Sequence, residues 1–181
     1  MNKIEQNQLK KLISAEKIRN RISELGREII QDFQEDELIV IGLLTGSFVF
    51  LADLIREFHQ HRSILGIDFL TVSSYGSQMH SSNHVQINSD IRIDIINKSV
   101  LLVDDILDTG QTLHAVVNHL TKKKPKNIKT CVLLDKIKSR EIAFQADYTG
   151  FQIPDAFVVG YGLDYNNRFR ELPYLAAVSF Q

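Results

Sequence analysis

This chain of 181 residues has a single cysteine, only short apolar runs and nearly equal numbers of acidic and basic residues. Its single cysteine, Cys131, cannot form an intrachain disulfide, which fits a reducing compartment. The longest apolar run, residues 38–44, is much shorter than the roughly 20 residues that a membrane-spanning helix needs. Lys and Arg number 21 against 22 Asp and Glu. This balance argues against nucleic acid as a partner, because phosphate backbones attract a net basic surface.

Segments that would divide the chain are also missing. Its nine glycines and three prolines form no linker rich in Gly, Pro or Ser, and no internal repeat or low-complexity tract occurs. We therefore expect residues 1–181 to form one domain. Residues 1–11 are polar and lack the apolar segment of a secretory signal, so we expect a cytoplasmic protein with no membrane partner.

Apolar residues recur at two spacings along the chain, one typical of helices and one typical of strands. A first helix is predicted by the spacing of Ile18, Ile22, Leu25 and Ile29, with Ser14 as its N-cap. Two further helices are predicted on the apolar positions Phe48, Leu51, Ala52 and Ile55, and on Leu113, Val116, Val117 and Leu120. The predicted strands are residues 38–44, 65–71 with alternate positions facing the core, 100–103, 128–134, 156–159 and 175–180.

The alternation of strands with helices predicts an α/β fold whose mostly parallel, twisted sheet is flanked by helices. Ligands of such folds bind at the carboxyl ends of the strands. Three polar segments stand at these ends: residues 44–47, residues 104–112 and Lys136. Residues 73–90 are polar and lack periodicity, so they form either a functional lid or an exposed hairpin tip.

The most informative stretch joins the strand 100–103 to the third helix, which is predicted to begin near Gln111 or Thr112. Asp104 and Asp105 follow the strand and can hold sugar hydroxyls or a hydrated Mg²⁺. The next turn offers backbone N–H groups, two threonine hydroxyls and a helix start, a combination that binds phosphate. An ordinary strand–turn–helix with a capping residue is the alternative, but it does not explain three carboxylates within five residues.

This stretch resembles the signature of the type I phosphoribosyltransferases: an apolar run, two acidic residues and a D-T-G-x-T turn. Asp108 narrows the resemblance to the 6-oxopurine branch. Further segments resemble this branch in its own order: Leu44-Thr45-Gly46-Ser47, Ser74-Tyr75-Gly76, Leu134-Asp135-Lys136, residues 154–166 and residues 169–173. The branch usually has Glu at position 104 and often Lys at position 45, where this chain has Asp and Thr.

The resemblance implies a fold with a small base-binding hood made from the chain termini. It also implies transfer of a phosphoribosyl group from 5-phosphoribosyl-1-pyrophosphate to hypoxanthine, and also to guanine, giving IMP or GMP and pyrophosphate in purine salvage. Mg²⁺ is the implied cofactor, and a homo-oligomer, either a dimer or a tetramer, is the implied assembly. Residues 73–90 would then be a lid that keeps water from the activated sugar.

The resemblance also assigns roles to individual residues. Ribose and the 5′-phosphate are expected to bind Asp104, Asp105, Asp108, Thr109, Gly110, Gln111 and Thr112. Pyrophosphate is expected to bind Thr45, Gly46, Ser47, Ser74, Tyr75 and Arg170. The base is expected to bind Lys136, Phe157, Val158 and Asp164, and Mg²⁺ is expected to bind Asp104, Asp105 and Asp164.

Asp108 is the expected catalytic residue, facing N7 of the purine as a general base or sharing its proton. For several positions a purely structural role is the alternative. Asp108 could be a turn residue or a cap, Lys136 an exposed strand-end lysine and Phe157 a core aromatic. The Thr-Gly-Ser segment after the first strand is explained equally well by an N-cap at Ser47.

Two other functions remain open from the sequence. A transferase of the same fold could act on xanthine, adenine or a pyrimidine, although Asp108, Lys136 and residues 157–164 argue against this. A non-catalytic regulator on the same fold could bind nucleic acid, but such relatives often lose the acid at position 108 and gain a basic face. Neither feature is evident here.

Overall fold

The computed structural model describes residues 8–33, 37–59, 64–74 and 85–179. The helices in these ranges are α1 (Ala15–Asp32), α2 (Phe48–Glu57) and α3 (Gln111–Thr121). The strands are β1 (Leu9–Ile13), β2 (Leu38–Leu44), β3 (Ile64–Ser74), β4 (Val85–Ser89), β5 (Ser99–Leu107), β6 (Asn127–Asp135), β7 (Tyr148–Gln152), β8 (Val158–Val159) and β9 (Leu175–Val178).

Six of these strands form the main sheet in the order β4-β3-β2-β5-β6-β7. Neighbouring strands run parallel except β3 and β4, which are antiparallel. The central strands β2 and β5 are buried along most of their length, as expected for a parallel sheet with helices on both faces. The prediction of a mostly parallel sheet flanked by helices is confirmed.

Helix α1 begins and packs as its sequence predicts. The Ser14 hydroxyl accepts a hydrogen bond from the Lys17 N–H at 3.3 Å, which gives a partner to one of the free donors of a helix start. The four predicted apolar positions, Ile18, Ile22, Leu25 and Ile29, are buried. No helix in the described ranges is long and apolar enough to cross a membrane.

Helix α2 lies where it was predicted, but its buried face is rotated from the predicted one. Phe50, Leu51 and Leu54 are buried, whereas Phe48 is 42% exposed. Leu51 packs against Gly42 of β2, where a Cβ atom would lie 2.5 Å from Cδ2 of Leu51. The missing side chain lets Leu51 pack directly on the sheet.

Strand β3 also differs from the predicted pattern. Ile67 and Phe69, expected to face the core, are 38% and 42% exposed, and Leu70 on the opposite face is buried. Helix α2 packs mainly over β2 and β5, so these two apolar side chains are only partly covered by the described part of the chain.

The hood is a second, three-stranded antiparallel sheet in the order β1-β9-β8. Leu9 pairs with Val178, and Val158 pairs with Ala177, so residues near both ends of the chain build it. The expectation of a hood from the chain termini is confirmed. The predicted strands 156–159 and 175–180 therefore belong to the hood, and they are shorter than expected.

Three strands were not predicted individually, namely β1, β4 and β7. Strand β4 lies inside residues 73–90, which were expected to be a loop throughout. Its Ile87 pairs with Val72 of β3, so the proposed lid is confined to a shorter segment. Residues 75–84, the centre of that lid, lie outside the described residues.

Candidate active site

Two adjoining cavities open where β2, β5 and β6 end at the carboxyl edge of the main sheet. The loop cavity, of about 240 Å³, is lined by the segment 104–110 together with Thr112 and Leu113. The hood cavity, of about 280 Å³, is lined by Lys136, Phe157, Val158, Leu163, Asp164 and Arg170. Gly46, Asp105, Ile106 and Asp108 line both cavities. One ligand can therefore extend from the first into the second past these residues.

The acidic pair lies within β5 rather than beyond its end, since the strand continues to Leu107. The prediction that the strand stops at residue 103 is wrong. Asp104 and Ile106 pair with Val132 and Leu134 of β6, and this ladder outweighs the low strand propensity of Asp. Asp104 is consequently 8% exposed, although it lines the loop cavity.

Both carboxyls of this pair are electrostatically strained. Burial raises the pKa of Asp104 well above its ordinary value, and the neighbouring Asp105 raises it further. Burial also raises the pKa of Asp105. The Oδ1 atom of Asp104 accepts a hydrogen bond from the Asp105 N–H at 2.9 Å. A site of this kind favours a bound cation or ligand hydroxyls, because either stabilises the charged form.

Gly46 brings the loop after β2 against Asp105. A Cβ atom at position 46 would lie 1.6 Å from Oδ2 of Asp105, so the backbone here approaches the carboxylate as only glycine permits. The Leu44–Thr45 peptide bond in this loop is cis. Of this loop, Gly46 lines both cavities, and because it has no side chain it presents its backbone to them.

The other predicted pyrophosphate residues are placed differently. The Ser47 hydroxyl is buried and donates to the Leu43 carbonyl at 2.5 Å. Ser47 is the N-cap residue of α2, but its side chain makes no capping hydrogen bond to the helix. Thr45 is exposed. Ser74 ends β3, and its side chain, like the whole of Tyr75, lies outside the described residues.

The turn after β5 has the form expected of a phosphate-binding loop. Gly110 is the N-cap of α3 and has a φ of +88°, a left-handed conformation that favours glycine. Thr109 Oγ1 accepts a hydrogen bond from the Gln111 N–H at 3.3 Å. Thr109, Gly110 and Thr112 line the loop cavity. The Gln111 side chain instead donates to Glu141, so it is committed to a protein partner.

Lys136 and Asp108 face each other across the junction of the two cavities. The Lys136 Nζ lies 3.2 Å from Oδ2 of Asp108 and 3.7 Å from Oδ1 of Asp155. The lysine side chain is only 9% exposed, whereas that of Asp108 is 45% exposed. The alternative of an exposed strand-end lysine is therefore wrong. The pair sets a cationic donor beside a carboxylate that a ligand can reach.

Phe157 and Val158 form the apolar wall of the hood cavity. Phe157 is 43% exposed, and its ring meets that of Tyr165 edge to face, with 5.7 Å between the centroids. The alternative of a core phenylalanine is therefore wrong. Val158 is buried and belongs to β8. A planar aromatic ligand can stack against this wall.

Asp164 and Arg170 close the far side of the hood cavity as an ion pair, with Nη2 of Arg170 2.6 Å from Oδ1 of Asp164. The Gly162 carbonyl accepts a bond from the other guanidinium nitrogen at 2.5 Å. The Asn167 N–H donates to Asp164 Oδ2 at 2.7 Å. Both residues line the hood cavity.

The predicted metal ligands do not form a single cage. Among the residues that the structure describes, no group of three or more His, Cys, Asp or Glu side chains could hold a metal ion. Asp104 and Asp105 lie together in β5, and Asp164 lies in the ion pair of the hood cavity. The donor chemistry still fits Mg²⁺, which binds to one or two carboxylates while ligand oxygens and water complete its shell.

Arg140 is a functional candidate that the sequence pattern missed. Its guanidinium donates to the Asp108 carbonyl and pairs with Asp135, the residue before Lys136. It lies in a short polar segment, just after the three-residue 3₁₀ helix Ile137–Ser139. A signal was nonetheless available, since an arginine that closely follows a predicted strand end is well placed to reach that end.

Comparison with known proteins agrees with this geometry. The family model of the phosphoribosyl transferase domain matches residues 8–166. A curated hypoxanthine-guanine phosphoribosyltransferase of Aquifex aeolicus is 47% identical over 174 residues, which cover 96% of each chain. A solved hypoxanthine phosphoribosyltransferase of Staphylococcus aureus has a TM-score of 0.90 at 40% identity, covering 99% of this chain and 96% of that one.

A third relative has been solved with a nucleotide. The hypoxanthine phosphoribosyltransferase of Trypanosoma cruzi, in complex with its product IMP, has a TM-score of 0.88 at 38% identity, covering 97% of each chain. The structural likeness extends through both the main sheet and the hood. The chain therefore belongs to the phosphoribosyltransferase family, in the branch of the hypoxanthine and hypoxanthine-guanine phosphoribosyltransferases.

Proposed function

We propose that this protein transfers the phosphoribosyl group of 5-phosphoribosyl-1-pyrophosphate to hypoxanthine and guanine, forming IMP or GMP and pyrophosphate in purine salvage. The observation that carries the proposal is the meeting of two cavities at Asp105 and Asp108. One cavity has the chemistry for a sugar phosphate, and the other has the chemistry for a flat, polar-edged base. The bond to be formed lies between these two ligands.

The loop cavity is the proposed site of the donor. Thr109, Gly110 and Thr112 bind the 5′-phosphate through backbone N–H groups and hydroxyls at the start of α3. Asp104 and Asp105 hold the ribose hydroxyls. Gly46 brings the backbone of its loop to the pyrophosphate, close to Asp105, and Arg170 of the adjoining hood cavity supplies a planar cationic group.

The carboxylates are also the proposed ligands of Mg²⁺. Asp104 and Asp105 would hold one ion, and Asp164 would hold a second one. When bound, Mg²⁺ neutralises the oxygens of the leaving pyrophosphate. The raised pKa values of Asp104 and Asp105 support this assignment, because a bound cation stabilises the charged forms of two neighbouring carboxylates.

The hood cavity is the proposed site of the base. Phe157 stacks on the ring, Lys136 donates to O6, and the backbone near Val158 reads the remaining edge. Asp108 faces N7 and takes or shares its proton while the base attacks C1 of the ribose. Lys136 holds the Asp108 carboxylate at this position through their 3.2 Å contact.

The sugar passes through an oxocarbenium-like state, as it does in glycoside hydrolysis. Such a state reacts readily with water, so the site must exclude water during transfer. The hood covers one side of the reacting centre. We propose that residues 75–84, which lie outside the described ranges, are a lid that covers the other side of the reacting centre. Ser74 and Tyr75 are proposed to act as part of this lid.

A panel of bases tests the proposed function directly. Purified protein is mixed with 5-phosphoribosyl-1-pyrophosphate, Mg²⁺ and one of hypoxanthine, guanine, xanthine, adenine or uracil, and the nucleotides are separated by chromatography. We expect IMP and GMP. Preferred turnover of adenine or uracil would instead assign a different base, and a lack of any nucleotide would reject the transferase activity.

We further propose that residues 1–181 form one domain and that the protein acts as a homo-oligomer, either a dimer or a tetramer. Pairing of β1 with β9 supports the first point, because it ties together strands near both ends of the chain. Exposed Phe48, Ile67 and Phe69 support the second, since apolar surface left uncovered by one copy is often covered by another. Sedimentation velocity will reveal a dimer or tetramer, whereas a persistent monomer excludes both.

A cytoplasmic location, with neither membrane nor nucleic acid as a partner, completes the proposal. Its supports are the single cysteine and the balanced charge of the sequence. Cell fractionation followed by immunoblotting tests the location. A gel-shift titration at several salt concentrations tests the absence of nucleic-acid binding, and a salt-dependent shift would contradict it.

A further inference from the structure

Arg140 touches both elements that carry the candidate catalytic pair. Its Nη1 atom donates to the backbone carbonyl of Asp108, and its Nη2 atom donates to the carboxylate of Asp135. The two side chains of the ion pair are largely buried, with exposed fractions of 16% for Arg140 and 9% for Asp135. One guanidinium thus joins the backbone carbonyl of Asp108 to the side-chain carboxylate of a residue 27 positions later.

Each point that Arg140 holds lies next to a functional side chain. Asp135 is the last residue of β6 and directly precedes Lys136. The Asp108 carbonyl belongs to the residue whose carboxylate contacts Lys136 at 3.2 Å. The guanidinium therefore links the backbone of Asp108 to the residue that precedes Lys136, and the side chains of Asp108 and Lys136 contact each other.

The segment after Arg140 supports the same turn. The N–H groups of Glu141 and Ile142 donate to the Thr109 carbonyl at 3.0 and 3.1 Å, and the Glu141 carboxylate accepts from Gln111. A Cβ atom at Gly110 would lie 3.2 Å from Cδ of Arg140. The turn that binds the 5′-phosphate is thus shaped against this segment.

We propose that Arg140 is a positioning residue that holds the Asp108–Lys136 pair and the phosphate-binding turn in one fixed arrangement. The inference rests on the proposed function, because it assigns Arg140 a role in binding the nucleotide and in proton handling. Arg140 does not touch either substrate. It acts through the carbonyl of Asp108 and the carboxylate of Asp135.

This positioning role requires a side chain that can donate two hydrogen bonds in different directions, as a guanidinium can. Two of its nitrogens donate in diverging directions from one rigid plane, whereas the lysine ammonium is a single point charge on a flexible stem. Arg140→Lys therefore keeps the charge beside buried Asp135 but cannot keep both contacts in the same geometry. This variant separates positioning from the mere presence of a cation.

The experiment compares Arg140→Lys, Asp135→Asn and their double variant with Lys138→Ala as the matched control, since Lys138 is exposed in the adjacent 3₁₀ turn. Steady-state rates with hypoxanthine give kcat and both KM values. Calorimetry gives the Kd of IMP, and thermal unfolding monitors the fold. We expect Arg140→Lys to lower kcat/KM and to weaken IMP binding, each by about tenfold or more. Lys138→Ala should behave like the unmodified protein.

The double variant distinguishes one shared function from two separate ones. If Arg140 and Asp135 act through the same contact, the double variant loses little more than the stronger single variant. Unchanged kcat, KM and IMP affinity in Arg140→Lys would overturn the inference. The inference would also be overturned if the loss of activity matched the fraction of unfolded protein, while the KM values and IMP affinity of the folded protein stayed unchanged.

Failure of the proposed function gives a different pattern. In that case the unmodified protein makes no IMP from hypoxanthine. If it makes IMP but the Arg140 variant equals it in rate and affinity, the function stands and the positioning role is rejected. IMP binding compares the variants without relying on turnover.

Discussion

Lys136 Nζ lies 3.2 Å from Oδ2 of Asp108, although the two residues belong to different strand ends of the main sheet. The contact joins a nearly buried ammonium to a carboxylate that remains half open to the hood cavity. A purine that enters this cavity would meet both groups at one edge, the ammonium at O6 and the carboxylate at N7. In the proposed function, the pair would couple recognition of the base with handling of its proton.

Removing the charge of Asp108 tests its proton role. Asp108→Asn preserves size, so the fold and IMP binding should persist while kcat falls by about a hundredfold or more, the range typical of a lost general base. Initial rates and IMP calorimetry measure the two effects. Asp155→Asn is the control, because Asp155 also faces Lys136, at 3.7 Å, but has no assigned proton role. Equal activity of Asp108→Asn and the unmodified protein would remove Asp108 from the mechanism.

Truncation of Lys136 should damage base binding more than donor binding. We expect Lys136→Ala to raise the KM for hypoxanthine by about tenfold or more, which corresponds to the loss of one charged hydrogen bond. The KM for 5-phosphoribosyl-1-pyrophosphate should change much less. Lys138→Ala, which removes an exposed lysine two positions away, is the control. An equal rise in both KM values would contradict the assigned contact with O6.

A methyl group at Gly46 should disrupt the donor site. Its Cβ atom would lie 1.6 Å from the Asp105 carboxylate, so either the loop or the carboxylate must move. We expect kcat/KM for the donor to fall by about a hundredfold, as for displacements of about 1 Å in other active sites. Gly66→Ala is the matched control, because its Cβ atom would meet only the Cδ1 end of the Ile93 side chain, at 2.8 Å. Similar rates in the two variants would show that the close approach of Gly46 is not needed.

Asp68 should make the free energy of unfolding depend on pH in the acidic range. Burial alone would raise its pKa, but hydrogen bonds from the N–H groups of Ile93, Arg92 and Phe69 outweigh that effect and hold the pKa below its ordinary value. A lowered folded pKa stabilises the protein above the unfolded pKa of about 3.9, and that stability is lost as the pH falls through the folded value. Asp68→Asn should therefore cost about 1 kcal/mol at pH 7 and progressively less below pH ~4.

Urea unfolding across this pH range measures the effect of Asp68. Asp94→Asn is the control, since exposed Asp94 accepts one backbone bond, from the Ile96 N–H at 3.0 Å. A deficit in Asp68→Asn that stays constant from pH 7 to pH 3 would rule out the carboxylate charge as its cause.

The strands of the central sheet could be predicted because the apolar pattern that produces each strand is local in the sequence. The apolar residues of β2, β5 and β6 form continuous runs, and the start of α3 follows from the turn chemistry at Gly110. Placement of Asp104 and Asp105 at the site could be predicted for the same reason. Their position inside β5 could not, since it depends on pairing with β6, a partner distant in sequence.

Burial of individual site residues was harder to predict. Nothing in the neighbourhood of Lys136 indicates that its side chain would be nearly buried, and the aromatic character of Phe157 favours the core. Both outcomes depend on the hood, whose strands come from opposite ends of the chain. The contacts of Arg140 depend on a backbone carbonyl, and a sequence carries no mark of the direction in which a carbonyl points.

The pairing of β1 with β9 also bears on how the chain could be reconnected. The Ser179 N–H donates to the Gln8 carbonyl at 3.0 Å, so these two positions are neighbours in space. A short linker between them would allow circular permutation, with new termini opened at the surface turn between α3 and β6. The order in which the ribosome makes the segments would then change, while the stacking wall at Phe157 and the acidic pair of β5 would keep their mutual geometry.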